Sequence, residues 1–184
     1  FRGFLIDCYV RIDAMLNGKP FRLQPMEGSS VFINQPDLFE IQEDVIVVGM
    51  ENAENFMQIR SQRWLFDALF PGKQLLFVCR YPQENLEHLR SWLLRIPNRY
   101  VHFGDFDLAG VHIYLSEIYA HLGNRSSFLL PSDIEERLAE GNAALYNQQY
   151  DRFRNMAVTD VCLHPLVNMI HHYRRGYEQE GYIR

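Results

Sequence analysis

Three acidic residues of this chain are spaced so that they can act together on a cation. Glu51 follows an apolar run, and Asp105 and Asp107 lie two residues apart after a later apolar run. In an extended segment, residues two apart point to the same side, so Asp105 and Asp107 can face one point in space. Carboxylates that face one another repel strongly unless a cation lies between them. Their oxygen atoms suit Mg²⁺ or Mn²⁺, and a cation held in this way serves metal-assisted phosphodiester chemistry.

A structural role for the same two aspartates stays open. Aspartates that directly follow strands often cap the next helix or form turns. Gly104 and Gly110 enclose the pair, which allows a tight backbone turn and the close approach of a bulky substrate. An Asp-x-Asp pair alone is a weak motif, whereas its combination with a glutamate at the end of another strand is more specific.

The elements that must position these residues alternate between strands and helices. Apolar runs predict strands at 45–48, 75–79, 100–103 and 128–130, and apolar residues with helical spacing predict helices at 53–69, 86–96 and 111–122. This order predicts an α/β fold with a mostly parallel sheet flanked by helices and joined by right-handed crossovers. Sites in such sheets form outside the carboxyl ends of the strands, where Glu51 joins the two aspartates if its strand lies beside theirs.

The two ends of the chain have different patterns. Residues 1–44 have the pattern of short strands and turns, including a turn at 17–20, and we expect a β-rich lead-in packed on a domain of residues 45–184. Residues 132–135 have the form of a capping box, and Pro165 suits the first turn of a last helix that Gly176 ends. Because the sequence begins with Phe1, we expect it to be a piece of a longer protein.

Composition narrows the class of protein. The 184 residues suit one domain, and a hydrophobic fraction of 47% argues against a disordered chain. The formal net charge of −5 excludes a strongly basic module that binds nucleic acid by bulk electrostatics alone. No apolar run approaches the roughly 18 residues that span a bilayer, so we expect no membrane contact. Three dispersed cysteines form neither a disulfide framework nor a zinc ribbon and suit a reducing cytoplasm.

The segments 47–56 and 103–110 together resemble the Toprim domain of topoisomerases, bacterial primases and several nucleases. The resemblance is closest to the branch with the A subunit of topoisomerase VI, the related meiotic break-forming protein and the Toprim nuclease subunit of Wadjet-type plasmid-defence systems. In the Wadjet-type family, a Glu-Asn pair ends the first strand and Gly-Asp-x-Asp-x-x-Gly follows the third. Residues 177–180 also resemble its late Glu-Gln-Glu segment, so the resemblance covers about residues 45–180.

This resemblance implies a Toprim (Rossmann-like) fold and a role for each acidic residue. Glu51 matches the Toprim glutamate, a metal ligand or general acid/base, and Asp105 and Asp107 match the metal-binding aspartates. Glu180, and less closely Glu178, match the late acidic segment that would complete a second metal site. A solvated acidic tail is the alternative reading of that segment. Mg²⁺ or Mn²⁺ is the implied cofactor.

Other residues are weaker candidates. Arg80 ends the second predicted strand and is the best single candidate for a DNA phosphate contact, although an ion pair with a local carboxylate is the commoner role. Glu54 lies one turn after Glu51 and suits either the surroundings of the metal site or the positive end of a helix. In the family an apolar run leads into the glutamate, whereas here residues 49–50 intervene, which puts the position of Glu51 in question.

The resemblance implies a Mg²⁺-dependent Toprim nuclease that cuts DNA for an anti-plasmid defence complex. DNA and subunits of an SMC-like motor complex are the implied partners, and a homodimer stays open. Because the chain is acidic, we expect partner subunits, or a region outside this sequence, to deliver the DNA.

Three other functions remain in view. One is a DNA transesterase of the topoisomerase VI type, whose attacking tyrosine would lie outside this sequence, because none of the ten tyrosines can be assigned that role. Another is a non-catalytic interaction module, against which the retention of all three acids argues. A haloacid-type phosphatase also uses an Asp-x-Asp pair, but that family places the pair on its first core strand.

Overall fold

The structure is a computed structural model that describes residues 2–79 and 86–184. Its strands are β1 (Phe4–Cys8), β2 (Ile12–Leu16), β3 (Lys19–Leu23), β4 (Val31–Ile33), β5 (Phe39–Ile41), β6 (Ile46–Met50), β7 (Leu75–Cys79), β8 (Tyr100–Phe103) and β9 (Ser126–Phe128). Its α-helices are α1 (Ala53–Met57), α2 (Arg63–Leu69), α3 (Leu86–Arg95), α4 (Leu108–Ile113), α5 (Ala120–Leu122), α6 (Ile134–Ala139), α7 (Ala143–Phe153) and α8 (His164–Tyr173).

A six-stranded sheet with the order β4-β1-β7-β6-β8-β9 forms the centre of the fold. The four consecutive strands β7, β6, β8 and β9 run parallel to one another. At the other edge, β1 is antiparallel to β7 and β4 is antiparallel to β1. Every residue of β6, β7 and β8 is buried, which explains their continuous apolar sequences, since helices cover a parallel sheet on both faces. The predicted α/β class with a mostly parallel sheet is thus confirmed, in a mixed form.

The strand order reverses direction at β6. The chain places β7 on one side of β6 and then crosses to place β8 on the other side, so a crevice is expected outside the carboxyl ends of β6 and β8. The Glu51 amide donates to the Phe103 carbonyl at 3.0 Å, which extends the pairing of these strands up to Glu51. Gly49 lies within β6, where a Cβ atom would overlap the Tyr100 hydroxyl of β8. Residues 49–50 therefore continue the strand, and Glu51 follows it directly.

The first 44 residues are joined to this sheet rather than only packed on it. Strands β1 and β4 extend the central sheet, whereas β3, β2 and β5 form a separate three-stranded sheet. Asn17 and Gly18 turn the β2–β3 hairpin with φ values of 53° and 66°, as a two-residue type I′ turn requires. The Trp92 indole on α3 donates to the Phe39 carbonyl of β5 at 2.9 Å and so links the two sheets.

Several element boundaries differ from those predicted. The helix expected over 53–69 is divided into α1, a 3₁₀ turn (Ile59–Gln62) and α2. The Gln62 side chain donates to the Asn55 carbonyl at 2.7 Å and to the Gln58 carbonyl at 3.1 Å, and so caps the end of α1. The helix expected over 111–122 contains a π-helical stretch (Tyr114–Tyr119), and β9 begins two residues before its predicted start.

The capping box predicted at residues 132–135 is wrong. The residue that precedes α6 is Asp133 rather than Ser132, and within the described part of the chain its side chain accepts no hydrogen bond from a backbone amide at the start of the helix. Its carboxylate instead accepts from Arg137 Nε at 2.7 Å and from the Tyr182 hydroxyl at 3.2 Å. Pro165 does lie in the first turn of α8, as predicted. Among the described residues, no helix combines the length and the apolar character needed to cross a membrane.

Candidate metal centre

Glu51 lies at the carboxyl end of β6 and is held by a buried histidine. Its Oε2 atom lies 3.1 Å from Nε2 of His102, a β8 residue with no exposed surface. Gly104 makes room for this pair, because a Cβ atom there would overlap Glu51 Oε2 and lie 2.7 Å from His102 Nε2. The absence of a side chain at Gly104 therefore allows the Glu51 carboxylate to occupy the crevice beside the end of β8.

Asp107 caps helix α4, the structural role that the sequence left open. Its Oδ1 accepts from the Gly110 amide at 2.7 Å, and its Oδ2 accepts from Gln149 Nε2 of α7 at 2.8 Å. Burial raises the pKa of Asp107, and these hydrogen bonds oppose the shift, while the Glu51 charge adds to it. Because each carboxylate oxygen has a second acceptor position, capping does not prevent Asp107 from also binding a cation.

Asp105 experiences the charges of three other carboxylates. Burial raises its pKa to about 7, and the Asp107, Glu51 and Glu180 charges act in the same direction, against a hydrogen bond from the Gln179 amide. That amide donates to Asp105 Oδ1 at 2.9 Å. A carboxyl group with a pKa near 7 is only partly ionised at neutral pH, so a divalent cation would stabilise its charged form.

Glu180 reaches the same edge of the sheet from the C-terminal end of the chain. Its Oε1 accepts from the Asn52 side chain, and its Oε2 is buried without a hydrogen-bond partner among residues 2–79 and 86–184. A backbone bridge positions the segment, since the Phe106 amide donates to the Tyr177 carbonyl at 2.8 Å and the Tyr177 amide donates back at 3.1 Å. A buried carboxylate oxygen without a partner is costly, and a cation would satisfy it.

Of the remaining two candidates, Glu178 alone is within the described residues. The exposed Glu178 lines a groove with Glu140 and Glu180, but its charge is not among those that shift the pKa of Asp105. Arg80, the candidate for a phosphate contact, lies outside the described residues.

The carboxylates are close together, yet their oxygen atoms do not surround one point. The described ranges, 2–79 and 86–184, contain no group of three His, Cys, Asp or Glu side chains already placed to hold a metal ion. Three of the four engage separate neighbours, since Glu51 contacts His102, Asp105 accepts from the Gln179 amide and Glu180 accepts from Asn52. Carboxylate oxygens are ligands that Mg²⁺ and Mn²⁺ prefer, and side-chain rotations would be needed to bring these oxygen atoms together.

Sequence reasoning missed the residues that hold the carboxylates. His102 had a local signal, because it lies on β8, the strand next to β6, two residues before Gly104. Residues two apart in a strand point to the same side, so His102 and Gly104 face the same side of the sheet. Gln149 had none, since its bond to Asp107 joins residues 42 positions apart. Asn52 belongs to the Glu-Asn pair of the family resemblance, but nothing local indicated its bond to Glu180, 128 positions away.

Comparison with known families places the chain in one of them. A protein-family model described as "Domain of unknown function (DUF7281)" matches residues 9–184, so the chain belongs to that family. No curated protein matches the chain.

Proposed function

We propose that this member of the DUF7281 family is a metal-dependent DNA-cleaving domain with a Toprim-type arrangement of acids. The observation that carries the proposal is the placement of Glu51, Asp105, Asp107 and Glu180 near one another beyond the ends of β6 and β8. In this position, burial and the charges of the other three carboxylates raise the pKa of Asp105 to about 7. Strongly shifted carboxyl groups at a strand-order reversal are typical of functional sites in open α/β sheets. The resemblance of residues 47–56 and 103–110 to Toprim nucleases supports DNA as the substrate.

Glu51, Asp105, Asp107 and Glu180 would hold one or two divalent cations. When bound, such a cation would stabilise charge on a phosphate oxygen and lower the pKa of a bound water. The protein's own contribution is to orient these ligands. His102 holds Glu51 on one side of the crevice.

The other contacts orient the remaining carboxylates. The Gln179 amide holds Asp105, and Asn52 holds Glu180. Hydrogen-bonded ligand carboxylates of this kind are preoriented, which reduces the cost of assembling a site.

The same resemblance supports a biological setting. We propose that the domain acts as the nuclease subunit of an SMC-like, Wadjet-type complex, in which other subunits bring DNA to the crevice. A homodimer is compatible with that role. The overall charge of −5 supports delivery of DNA by partners, because it weakens long-range attraction between DNA and the chain alone.

The first test combines cation binding with cleavage. We expect Mn²⁺ to bind the chain, measured by calorimetry, and Glu51→Gln, Asp105→Asn and Glu180→Gln each to weaken binding by tenfold or more, the scale on which perturbing a metal site acts. Glu54→Gln is the matched control, since Glu54 is exposed on α1 and its side chain accepts, among the described residues, only a local bond from Gln58. Plasmid cleavage with Mg²⁺ or Mn²⁺, with the partner subunits present, should follow the same order.

Two results would reject the proposal. One is cation binding that is equal in the wild type and in all three site variants. The other is cleavage that survives in those variants at the wild-type rate.

A further inference from the structure

A groove between α7 and α8 combines arginines with aromatic rings beside the candidate metal centre. The α7–α8 groove is lined by Tyr146, Tyr150, Arg154, Asn155, His171 and Arg174. Its charge differs from that of the whole chain: residues 143–175 contain four arginines and two aspartates, while the chain has a net charge of −5. Asp160, one of the two aspartates, is buried and accepts from the Tyr114 hydroxyl at 3.1 Å. Of the four arginines, Arg154 and Arg174 line the groove, and Arg154 lies 3.9 Å from the exposed Asp151 carboxylate. The lining itself contains no acidic residue, so its local charge is positive.

The groove has a defined internal arrangement. The Tyr146 hydroxyl lies 2.9 Å from His171 Nδ1, and the Tyr146 and Tyr150 rings are 5.4 Å apart. The Arg154 guanidinium lies 5.7 Å from the centre of the Tyr150 ring. The pKa of Tyr146 is raised overall, first by burial and then by the neighbouring Tyr150. The charge of Arg174, which lies beside the Tyr146 hydroxyl, opposes this shift. Both arginines thus border the same aromatic surface.

Arg174 occupies a position that local backbone preference does not favour. It ends α8 in the left-handed conformation, with φ 52° and ψ 45°. Among the described residues other than glycine, only Asn17 shares a positive φ, and Asn17 lies in the β2–β3 turn. Gly or Asn adopts this conformation at the end of a helix at a lower conformational cost than Arg. Arg174 thus borders the groove from a backbone position that glycine or asparagine usually occupies.

Both sides of the groove touch the acidic site through Asp107. On the α7 side, Gln149 lies between the two groove tyrosines in sequence and donates to Asp107 Oδ2 at 2.8 Å. On the α8 side, Gly176 follows Arg174 by two residues, and a Cβ atom there would lie 2.7 Å from Asp107 Cβ. Gln149 and Gly176 do not themselves line the groove, but the segments on both of its sides contact Asp107. A ligand in the groove would therefore lie against elements that also hold the candidate metal centre.

We propose that the α7–α8 groove binds the phosphate backbone of DNA and guides it to the acidic crevice, an inference that rests on the proposed function. Arginine guanidinium groups bind phosphate oxygens in two-pronged fashion, and groove tyrosines and asparagine supply further donors. The occupant follows from charge complementarity, because a polyanion is attracted to this positive surface while the carboxylates beyond it require a cation. Binding at the groove is independent of sequence, since backbone contacts carry no base information.

The test measures binding without cleavage. A fluorescently labelled duplex of random sequence is titrated with the full 184-residue chain in EDTA, at several salt concentrations, and anisotropy gives the affinity. We expect Arg154→Gln and Arg174→Asn each to weaken binding several-fold, and each lost phosphate contact to reduce the slope of log affinity against log salt by about 0.9. Asparagine is chosen at position 174 because it tolerates the left-handed conformation.

Arg152→Gln is the matched control, because it removes the same charge from the same helix. Arg152 lies over the Phe153 ring at 5.0 Å and lines a different groove with His112. The proposal is overturned if Arg152→Gln weakens binding as much as the groove variants do. A parallel titration uses poly-glutamate, a polyanion without phosphate groups. The proposal is also overturned if the chain binds no duplex at low salt, whether or not it binds poly-glutamate. Because EDTA removes divalent cations, a failure of cation binding or cleavage leaves this result intact and affects only the proposed function.

Discussion

Asp107 illustrates how a single side chain serves both the fold and the candidate site. It caps α4 through the Gly110 amide and also binds α7 through Gln149, yet it lies among the carboxylates that shift the pKa of Asp105. Replacement of Asp107 would therefore change helix stability and cation affinity together. Asp105 separates these effects better, because its only hydrogen bond in the described part of the chain comes from the Gln179 amide, which an asparagine oxygen can still accept.

Asp105→Asn should change stability in a pH-dependent way. The folded-state pKa of about 7 lies above the ordinary value of 3.8, so the folded protein holds a proton that the unfolded chain releases between these values. The Asp105 carboxyl therefore lowers the free energy of unfolding as pH rises through this window, and it has no such effect below it. In EDTA at about pH 8, the free energy of unfolding of Asp105→Asn should exceed that of the wild type by at most about 4 kcal/mol. This upper bound follows from roughly 1.4 kcal/mol for each unit by which the pKa is raised.

Urea denaturation at about pH 4 and pH 8 measures this difference, which should disappear at the lower pH. Asp151→Asn is the control, since the Asp151 side chain is 93% exposed and its removal should not create a pH-dependent difference. An Asp105→Asn variant that is less stable than the wild type at both pH values would contradict the assignment.

At the scale of elements, the C-terminal segment completes the site from a distance. The Tyr182 side chain has no exposed surface and packs against the Phe103 and Phe106 rings at 6.0 and 5.7 Å. The Arg137 guanidinium covers its other face at 4.1 Å. The 3₁₀ turn (Gln179–Tyr182) is thus held at its end by Tyr182 and at its start by the bond to Asp105.

Tyr182→Ala should loosen this turn and weaken the site. Loss of a buried aromatic side chain costs about 3–5 kcal/mol of unfolding free energy. Tyr182→Phe removes only the hydroxyl bond to Asp133 and should cost about 1 kcal/mol. Urea denaturation measures both values, and Mn²⁺ calorimetry should show weaker binding for the alanine variant alone. Equal cation affinity in the wild type and in a folded Tyr182→Ala protein would show that the turn does not support the site.

The sequence determined some of these elements locally and left others to long-range contacts. Strands β7 and β8 were predicted to the residue because they are buried along their whole length. The strand–helix alternation placed Glu51 and Asp105 after strand ends, but that their strands are neighbours was only a condition of the prediction, which the strand order meets. The break after α1 was not predictable, because it depends on the Gln62 side chain reaching the Asn55 carbonyl. The Glu180–Asn52 contact spans 128 positions, and only a family motif pointed to Glu180.

At the scale of the whole molecule, one hydrophobic core connects both sheets and both ends of the chain. The core includes Ile12 and Phe39 of the three-stranded sheet as well as Tyr182 near the C-terminus. Arg60 adds a polar link, since it donates to the Cys8 carbonyl at 2.9 Å and forms an ion pair with Asp7 at 3.1 Å. We therefore expect residues 1–44 and 45–184 to unfold as one cooperative unit.

The chain's two tryptophans test this expectation because they report on opposite parts of the core. Trp92 contacts Phe39 at the junction of the sheets, with ring centres 5.6 Å apart, whereas Trp64 stacks on Tyr182 at 6.2 Å. In Trp64→Phe only Trp92 is left to fluoresce, and in Trp92→Phe only Trp64. Within each variant, the urea midpoint from fluorescence should coincide with that from far-ultraviolet circular dichroism, because two-state unfolding gives every probe the same transition. If Trp92 fluorescence changes at a lower urea concentration than the dichroism of the same protein, the lead-in unfolds first and the boundary at residue 44 separates two units of different stability.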